Sequence, residues 1–370
     1  MKDNWSVIPF EKAICKVKYT KKIANSEYLS QGLFPIISQE DDVISGYWNN
    51  KEDVFSVTSP VVIFGDHTRV LKYVDFDFVL GADGVKILLP TKGLDAKFFM
   101  YYLNSCKIPS LGYSRHYKLL KELKIPVPPL EEQFRIVEEL DQLSNIIEKK
   151  RQQLSELDNL AQSIFYDMFG DPVTNEKGWE IVTLGDVCDV TSFKRVLIEE
   201  VVDEGIPFIR GTELMALSKG ENVEFTLFIT DEHYEKVKAI SGVPKIGDLL
   251  IPSINSEARI WILNTDKPMY YKDGRVLWVH VNEKLYASEC LKYIMHELIK
   301  SSYTSVASGA TFAELKLFVL RELKTIIPPL NLQQLFAQKI EAIEKEKELI
   351  KQSIKETEEL FNSRMDYYFN

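Results

Sequence analysis

Two long stretches of the sequence carry apolar residues at alternating intervals of three and four, with charged and amide residues between them. The first runs from Ile136 to Met168 and the second from Phe336 to Tyr368. This spacing is typical of the buried seam of a coiled coil, and neither stretch contains a proline or a glycine. The pattern predicts two helices of about 34 residues, each roughly 50 Å long at 1.5 Å per residue.

Both stretches belong to a longer internal repeat that organises the whole chain. Residues 121–130 recur as residues 321–330, and the offset of 200 residues holds without a gap to the end of the second stretch. Upstream the repeat is looser: Trp5 matches Trp179, so the second copy contains about 26 additional residues before its Pro-Pro. We therefore predict two copies of one plan with different contents.

A Pro-Pro pair precedes each predicted helix, and Gly170 follows the first helix. Proline restricts the preceding residue to extended conformations and is tolerated in a first helical turn, so each pair indicates a helix start. Several seam positions are polar, which weakens a coiled-coil core but helps to fix register and orientation. These positions are Lys150, Lys347, Thr357 and Arg364. We predict an intramolecular antiparallel coiled coil, because a globular segment lies between the helices; the alternative is packed bundle helices.

The remaining segments are predicted to be mixed α/β. Short β-branched and aromatic runs bounded by Gly, Pro, Asp or Asn predict strands. These runs lie at residues 60–64, 73–79, 85–89, 248–251 and 276–281, and short helices are predicted at 94–104 and 287–300. The predicted organisation is an α/β domain at 1–120, a helical region at 121–172, a second α/β domain at 173–320 and a second helical region at 321–370.

Composition narrows the classes of protein that fit this plan. The 370 residues are 45% hydrophobic and 27% charged, as in globular proteins, with a formal net charge of −10. An acidic total predicts no broad nucleic-acid surface, so any anion site has to be a local patch. The sequence has no apolar run of membrane-spanning length and no signal-peptide core, so we expect no membrane association and a cytoplasmic location.

The negative charge is unevenly distributed. Residues 1–120 carry a net charge of +2, residues 121–172 carry −5, residues 173–320 carry −6 and residues 321–370 carry −1. The first α/β domain is therefore the one predicted segment with a positive balance.

A search for catalytic chemistry is mostly negative. The sequence has no glycine-rich phosphate loop, no nucleophile elbow and no zinc-protease motif, and its five histidines are well spread. The triplets ending at Lys124 and Lys324 match the E-x-K part of a nuclease site, but such triplets are common by chance and these belong to the repeat. We predict no catalytic residue and no metal site.

Side chains suited to DNA contact are more numerous. Cationic, hydroxyl and imidazole groups near turns and glycines can reach phosphates or base edges. In the first copy the candidates are His67, Thr68, Arg69, Lys72, Lys86, Arg115, His116 and Lys118. In the second copy they are Lys194, Arg195, Arg210, Arg259, Arg275, Ser308 and Thr311. For any arginine or lysine the alternative is a solvated surface charge, and for the histidines it is a hydrogen-bonded structural residue.

Taken together, these features resemble the specificity subunit of Type I restriction-modification enzymes. The resemblance lies in the Pro-Pro-Leu-x-x-Gln sequences that end at Gln133 and Gln333 and open the two long helices. It also lies in Val-Ile-Phe-Gly-Asp-His-Thr-Arg69, Gly-Tyr-Ser-Arg-His-Tyr117 and Ser-Gly-Ala-Thr311. It covers the full chain.

The resemblance implies two target-recognition domains, each reading half of a bipartite sequence in double-stranded DNA, and two helices in an antiparallel coiled coil. Helices of roughly 50 Å would suit two readers about one duplex turn apart. The subunit would have no chemistry and no cofactor of its own. Its partners would be two modification subunits, which methylate adenine with S-adenosylmethionine, and restriction subunits that use ATP with Mg²⁺.

The alternative function is a coiled-coil interaction scaffold that reads no DNA. Salt-dependent duplex binding separates the two hypotheses, because neutralising phosphates releases counterions. Given the acidic total, we expect weak DNA affinity for the chain alone and tight affinity in a complex.

Overall fold

The computed structural model describes residues 5–82, 84–112, 114–306 and 314–370. The chain forms two compact units: Met1–Gln152 with Ile350–Asn370 make the first, and Gln153–Leu349 make the second. Each unit contains one α/β domain and part of both long helices. Within the described ranges, no helix combines the length and apolarity needed to cross a membrane.

Within its described residues, the first unit contains ten strands, three short α-helices, the first part of one long helix and the last part of the other. They are β1 (Ser6–Pro9), α1 (Phe10–Ala13), β2 (Ile14–Cys15), β3 (Phe34–Ile37), β4 (Gly46–Trp48), β5 (Val54–Phe55), β6 (Val61–Gly65), β7 (Leu71–Val74), β8 (Phe78–Leu80), β9 (Val85–Pro90), α2 (Ala96–Ser105), α3 (Tyr117–Leu120), β10 (Lys124–Val127) and α4 (Leu130–Phe169).

Strand β6 lies inside a four-stranded antiparallel sheet of order β2-β9-β6-β7. All of its residues are buried because both faces of the sheet are covered. Val62 and Phe64 pack into a core that includes residues of α2 and of the long helices. Val61 and Ile63 pack against residues of a second sheet, of order β4-β3-β8-β5. Burial on both faces explains the uninterrupted apolar run in this strand.

The second unit continues α4 and repeats the plan. Its further elements are β11 (Glu180–Thr183), α5 (Leu184–Val187), β12 (Asp189–Ser192), β13 (Ile206–Ile209), α6 (Gly211–Ser218), β14 (Phe228–Ile229), α7 (Asp231–Ser241), β15 (Leu249–Pro252), β16 (Trp261–Ile262), β17 (Tyr270–Tyr271), β18 (Val276–His280), α8 (Ser288–Val306), α9 (Leu317–Arg321), β19 (Lys324–Ile327) and α10 (Leu330–Phe369), whose last part belongs to the first unit.

The predicted two-copy α/β architecture is confirmed by the matching order of the strands in the two units. The sheet of order β12-β18-β15-β16 corresponds to β2-β9-β6-β7, and the ribbon β11-β19 corresponds to β1-β10. In a further pair of equivalents, β13 runs parallel to β17 as β3 does to β8. Between β13 and β15 the second unit has α6, β14 and α7 where the first unit has β4 and β5, and α8 has 19 residues against 10 in α2. Both differences lengthen the second copy.

Two element predictions need correction. The strand predicted at 73–79 is two strands, because the chain leaves one sheet after Val74 and joins the other at Phe78. Asp77 at this crossing accepts a hydrogen bond from the Val57 N–H at 2.7 Å, so the break is held by a side chain. The long helices are 40 residues each rather than about 34, because helical structure begins directly after the Pro-Pro pair.

The two long helices pack antiparallel in each unit, as predicted. In the first unit Glu139 contacts Arg364, and Lys150 contacts Ser353, so partner numbers fall as α4 advances. The Lys150 ammonium also lies 3.4 Å from the Thr357 hydroxyl oxygen. The polar seam residues of this unit are therefore paired across the helices.

The same direction holds in the second unit. The Lys347 ammonium lies 2.7 Å from the Asp158 carboxylate, and the rings of Phe336 and Phe165 have centroids 5.8 Å apart. Burial lowers the pKa of Lys347, but its hydrogen bonds to Asp158 and Glu344 outweigh this effect and raise the pKa above the usual value. The ammonium therefore stays charged in the seam.

A buried glutamine explains the Pro-Pro-Leu-x-x-Gln sequence. The Gln133 amide nitrogen donates hydrogen bonds to the carbonyl oxygens of Pro128 (2.7 Å) and Gly93 (2.8 Å), and its oxygen accepts one from the Asp95 N–H (2.7 Å). Gln133 has no exposed surface. It therefore ties the start of α4 to the turn that leads from β9 into α2.

Gln333 makes the equivalent contacts in the second unit. Its nitrogen donates to the carbonyl oxygens of Pro328 (2.7 Å) and Leu285 (2.8 Å), and its oxygen accepts from the Ala287 N–H (3.0 Å). The repeat therefore preserves one interaction at the same point of both units.

We predict that Gln133→Ala or Gln333→Ala destabilises the unit that contains it. Each change leaves buried backbone groups without partners, which costs about 1–3 kcal/mol per group. The measurement is the midpoint of urea unfolding followed by intrinsic fluorescence. Gln334→Ala, on the exposed side of the same helical turn, is the matched control, and equal shifts for Gln333 and Gln334 would contradict the prediction.

We also predict a dependence of stability on acid at the helix pair of the first unit. Arg364 and the Tyr368 hydroxyl both donate to the Glu139 carboxylate, and the bond from Arg364 is the main reason that the pKa of Glu139 is lowered. A lowered pKa contributes stability at neutral pH that is lost as pH falls below the unfolded value of about 4.3. Glu139→Gln should flatten this loss in thermal melts between neutral pH and about pH 3. Glu138→Gln, at the exposed neighbouring position, should leave it intact.

Candidate nucleic-acid interface

Three segments of the first unit meet at one edge of the sheet that contains β6. The Asp66 N–H donates to the Gly84 carbonyl oxygen at 2.7 Å, and the His116 N–H donates to the Asp66 carbonyl oxygen at 2.8 Å. The buried Asp66 carboxylate accepts a further bond from the Tyr117 N–H at 2.7 Å. We call the loop 65–70, the start of β9 and residues 114–117 the loop edge of this unit.

The loop between β6 and β7 is fixed from both sides. Thr68 donates its hydroxyl hydrogen to the Gln39 carbonyl oxygen at 2.6 Å, so this side chain is used in holding the loop. Arg69 has a left-handed backbone (φ 66°), and its guanidinium donates to the Ile108 carbonyl oxygen at 3.0 Å. Arg69 is exposed, and His67 is half-buried beside it. The loop therefore presents Arg69 in a defined position.

Lys86, at the start of β9, is a half-buried member of this loop edge. Its ammonium lies 3.6 Å from the Asp66 carboxylate and 5.4 Å from the centre of the Tyr117 ring. Arg115 and Lys118 are exposed. Among the described residues, neither has an acidic partner within ion-pair distance. Within the described part of the chain, the loop edge thus includes two exposed arginines, Arg69 and Arg115, without a carboxylate at ion-pair distance.

Burial contradicts two predicted contacts. The Lys72 side chain is 5% exposed, and its ammonium donates to the carbonyl oxygens of Ser38 (3.0 Å) and Asp42. Burial is the main reason that the pKa of Lys72 is lowered. This lysine anchors the loop after β3 and does not present its charge to a ligand.

His116 is the second of these corrections. It is fully buried, its Nδ1 donates to the Asp66 carbonyl oxygen at 2.9 Å, and its Nε2 accepts from the Leu111 N–H at 2.9 Å. Because one ring nitrogen donates and the other accepts, the geometry fits a neutral imidazole. Its side chain supports the loop edge from inside the fold. His116 is therefore a hydrogen-bonded structural residue, the alternative role given above for the histidines.

The sequence interpretation missed a basic run after β2. Lys16, Lys18 and Lys21 are exposed, and the Tyr19 hydroxyl oxygen between them accepts a hydrogen bond from the Ile87 N–H at 3.0 Å. This bond places the run beside β9, the strand that starts at the loop edge. The signal was present in the sequence as Lys-Val-Lys-Tyr-Thr-Lys-Lys ending at residue 22.

The second unit builds the same edge from different side chains. The Ser253 N–H donates to the Arg275 carbonyl oxygen at 3.0 Å, and the Leu315 N–H donates to the Ser253 carbonyl oxygen at 2.7 Å. Ala258, in the loop between β15 and β16, has a left-handed backbone (φ 51°), as Arg69 has in the loop between β6 and β7. We call residues 253–259, 272–275 and 314–316 the loop edge of the second unit.

Arginines on this second edge are paired with glutamates. Arg275 lies 3.0 Å from Glu314, and Arg259 lies 3.0 Å from Glu257, which also binds Lys219 at 3.1 Å. The chief cause of the lowered pKa of Glu257 is its hydrogen bond from Arg259. All four members of the two arginine pairs are exposed.

Arg210 forms a third pair next to this edge. Its guanidinium binds the Glu213 carboxylate in the first turn of α6, and this bond raises the pKa of Arg210. A Cβ added to the neighbouring Gly211 would lie 3.5 Å from the Arg275 carbonyl oxygen, so the start of α6 adjoins the edge.

Two further candidates lie close by. Lys194 and Arg195 are exposed, and Arg195 lines an open cleft of about 450 Å³ together with Glu199, Lys272 and Arg275. The remaining candidates, Ser308 and Thr311, lie outside the described residues.

The fold and its edges define a class of protein that presents one loop surface twice, on two α/β domains attached to a helix pair. The profile of the family described as Type I restriction modification DNA specificity domain matches residues 4–159 and 176–359. The chain belongs to this family, and the resemblance proposed from its motifs is confirmed.

Individual relatives agree with this assignment. A putative type I restriction enzyme specificity subunit of Haemophilus influenzae is 25% identical over 376 residues, covering 97% of this chain and 93% of the relative. The Type I restriction enzyme MjaVIII specificity subunit of Methanocaldococcus jannaschii is 23% identical over 398 residues, covering 95% and 91%. The similarity therefore extends over nearly the full length of each chain.

A solved structure shares the fold. The S subunit of a Type I restriction-modification system from M. genitalium aligns with a TM-score of 0.56 at 16% identity, covering 98% of this chain and 95% of the other. A chain solved in a study of complex assembly and conformational transition of the type I R-M system aligns with the same TM-score at 15% identity, covering 100% and 98%.

We predict that Arg115→Gln weakens binding of a mixed-sequence duplex and lowers the slope of log K against log salt by about 0.9, since one phosphate contact is lost. Fluorescence anisotropy of a labelled duplex at several salt concentrations measures both quantities. Lys92→Gln is the control, because Lys92 is exposed just after the opposite end of β9. Equal effects of the two changes would show that Arg115 acts only through net charge.

Proposed function

We propose that this chain reads a bipartite sequence in double-stranded DNA without catalysing a reaction. The observation that carries the proposal is the repeated loop edge: the same backbone hydrogen bonds support it in both units, at Asp66 and at Ser253, while the side chains differ. The same backbone frame with different side chains suits two half-sites of different sequence. Side-chain contacts to bases determine which sequence is read, whereas the backbone frame only positions those side chains.

We further propose that the predicted domains have separate roles. Residues 1–120 read one half-site and residues 173–320 read the other, while residues 121–172 and 321–370 supply the helices. Family membership supports this division, since the family is named for DNA specificity and its profile matches the chain in two segments.

We also propose that the chain docks two modification subunits and, with them, restriction subunits. Equivalent strands support the number two, because Val7 on β1 and Ile181 on β11 occupy matching positions and are 44% and 57% exposed. An exposed apolar side chain at the same position of both units suits two copies of one partner. S-adenosylmethionine, ATP and Mg²⁺ belong to those partners in this proposal, and the chain itself binds no cofactor.

Weak intrinsic DNA affinity follows from the charge distribution. Residues 173–320 carry a net charge of −6, and residues 1–120 carry +2. Phosphate attraction dominates non-specific affinity, so much of it would come from the partner subunits. Tight sequence-specific binding by the isolated chain at physiological salt would contradict this part of the proposal.

We predict that the chain, expressed with the modification subunit of its locus, produces methylation at a bipartite motif, and that methylome sequencing detects it. Exchanging residues 1–120 with those of a relative should change one half of the motif, and exchanging residues 173–320 should change the other. The unexchanged chain is the control. Methylation without a bipartite motif, or exchanges that change neither half of the motif, would favour the alternative function, a coiled-coil interaction scaffold that reads no DNA.

A further inference from the structure

The two loop edges differ in how their arginines are partnered. In the first unit Arg69 donates to a backbone carbonyl oxygen, and Arg115 is exposed; within the described ranges neither has a carboxylate at ion-pair distance. In the second unit Arg259 and Arg275 are each 3.0 Å from a glutamate carboxylate. The local charge around these two arginines is therefore largely cancelled.

A carboxylate beside a guanidinium changes which DNA groups the arginine can approach. A phosphate carries a full negative charge and is repelled by the glutamate, so contact releases few counterions. A guanine edge offers O6 and N7 as neutral acceptors, and the planar guanidinium can donate two parallel bonds to them. A paired arginine thus favours a base edge over the backbone more strongly than an unpaired one does.

The glutamates are placed to act in this way because they belong to the loop edge itself. The backbone of residue 314 forms a bridge with Ile254, and Ser253 is bonded to the Arg275 carbonyl oxygen. Glu257 binds both Arg259 and Lys219, so one carboxylate serves two cations. The glutamate and arginine side chains of both pairs are between 44% and 49% exposed, so a base edge can reach them.

We propose that Glu257 and Glu314 are specificity-determining residues, which direct Arg259 and Arg275 away from phosphates and towards base edges, while Arg69 and Arg115 of the first unit supply the phosphate anchoring. This inference rests on the proposed function. The inference adds an asymmetry to the proposed function. The first unit contributes most of the salt-dependent affinity of the chain, and the second contributes discrimination between DNA sequences.

The test compares the full chain with its Glu314→Gln variant on a labelled mixed-sequence duplex between about 50 and 200 mM salt, alone and in complex with the modification subunit. Removing the carboxylate should strengthen binding about two- to five-fold and steepen the salt slope by up to about 0.9. Glu235→Gln is the matched control, since Glu235 pairs with Lys238 at 3.0 Å on the exposed face of α7.

Two further variants separate the neutralisation of Arg275 by Glu314 from a simple change in net charge. Arg275→Gln alone should change mixed-sequence binding little, because its charge is already cancelled, and it should abolish the gain when combined with Glu314→Gln. Glu257→Gln repeats the test at the second pair and serves if Glu314→Gln does not fold, as judged by circular dichroism. In cells, either glutamate variant should relax only the half of the methylated motif that exchange of residues 173–320 changes.

The outcomes distinguish failure of this inference from failure of the proposed function on which it rests. An effect of Glu314→Gln equal to that of Glu235→Gln, or one that persists without Arg275, overturns the inference alone. Loss of specific methylation without any gain in mixed-sequence binding also overturns it, since the glutamate would then read a base directly. Absence of duplex binding by every form, including the complex, overturns the proposed function and this inference together.

Discussion

A buried glutamine amide at the start of each long helix is the interaction on which the rest of each unit depends. Gln133 and Gln333 each join the Pro-Pro turn to the segment that leads from the central sheet into the next helix. An alanine there would leave carbonyl and N–H groups buried without partners, and only a side chain with both a donor and an acceptor satisfies them. The loop edge adjoins the start of β9 or β18, and the glutamine holds the segment that follows the other end. Its amide therefore couples the helix to the strand that carries the candidate interface.

Charged residues cross the helix pair in both units, at Glu139–Arg364 in the first and at Lys347–Asp158 in the second. In the first, Glu139 accepts from Arg364 and from Tyr368, and the charges lie at the margin of the core. In the second, Phe165, Phe169 and Phe336 form an aromatic cluster with centroids 5.4 to 5.8 Å apart. Directional hydrogen bonds select one register, whereas ring packing supplies buried apolar area. The repeat thus preserves the antiparallel geometry while the residues that make the contacts differ between its two copies.

The loop edges follow the same rule. Backbone groups carry the shared frame, since Asp66 and Ser253 use the same N–H and carbonyl in spite of different side chains. A frame built from backbone bonds tolerates changes of side chain, which is what two readers of different half-sites require. The arginines of the two edges then differ in charge environment. Among the described residues, Arg69 and Arg115 have no carboxylate at ion-pair distance, whereas Arg259 and Arg275 are each paired with a glutamate.

The sequence by itself determined the two copies, the long antiparallel helices and the family. The periodicity, the Pro-Pro pairs and the repeated glutamine are local patterns, formed by residues close together along the chain. It did not determine which candidate side chains are available. Lys72 reaches a carbonyl 34 positions away and Arg275 a carboxylate 39 positions away, so their roles depend on contacts that only folding creates. The break of the predicted strand after Val74 has the same origin, since strand pairing decided it. Local pattern encodes elements, whereas burial and ion pairing depend on which distant segments those elements bring together.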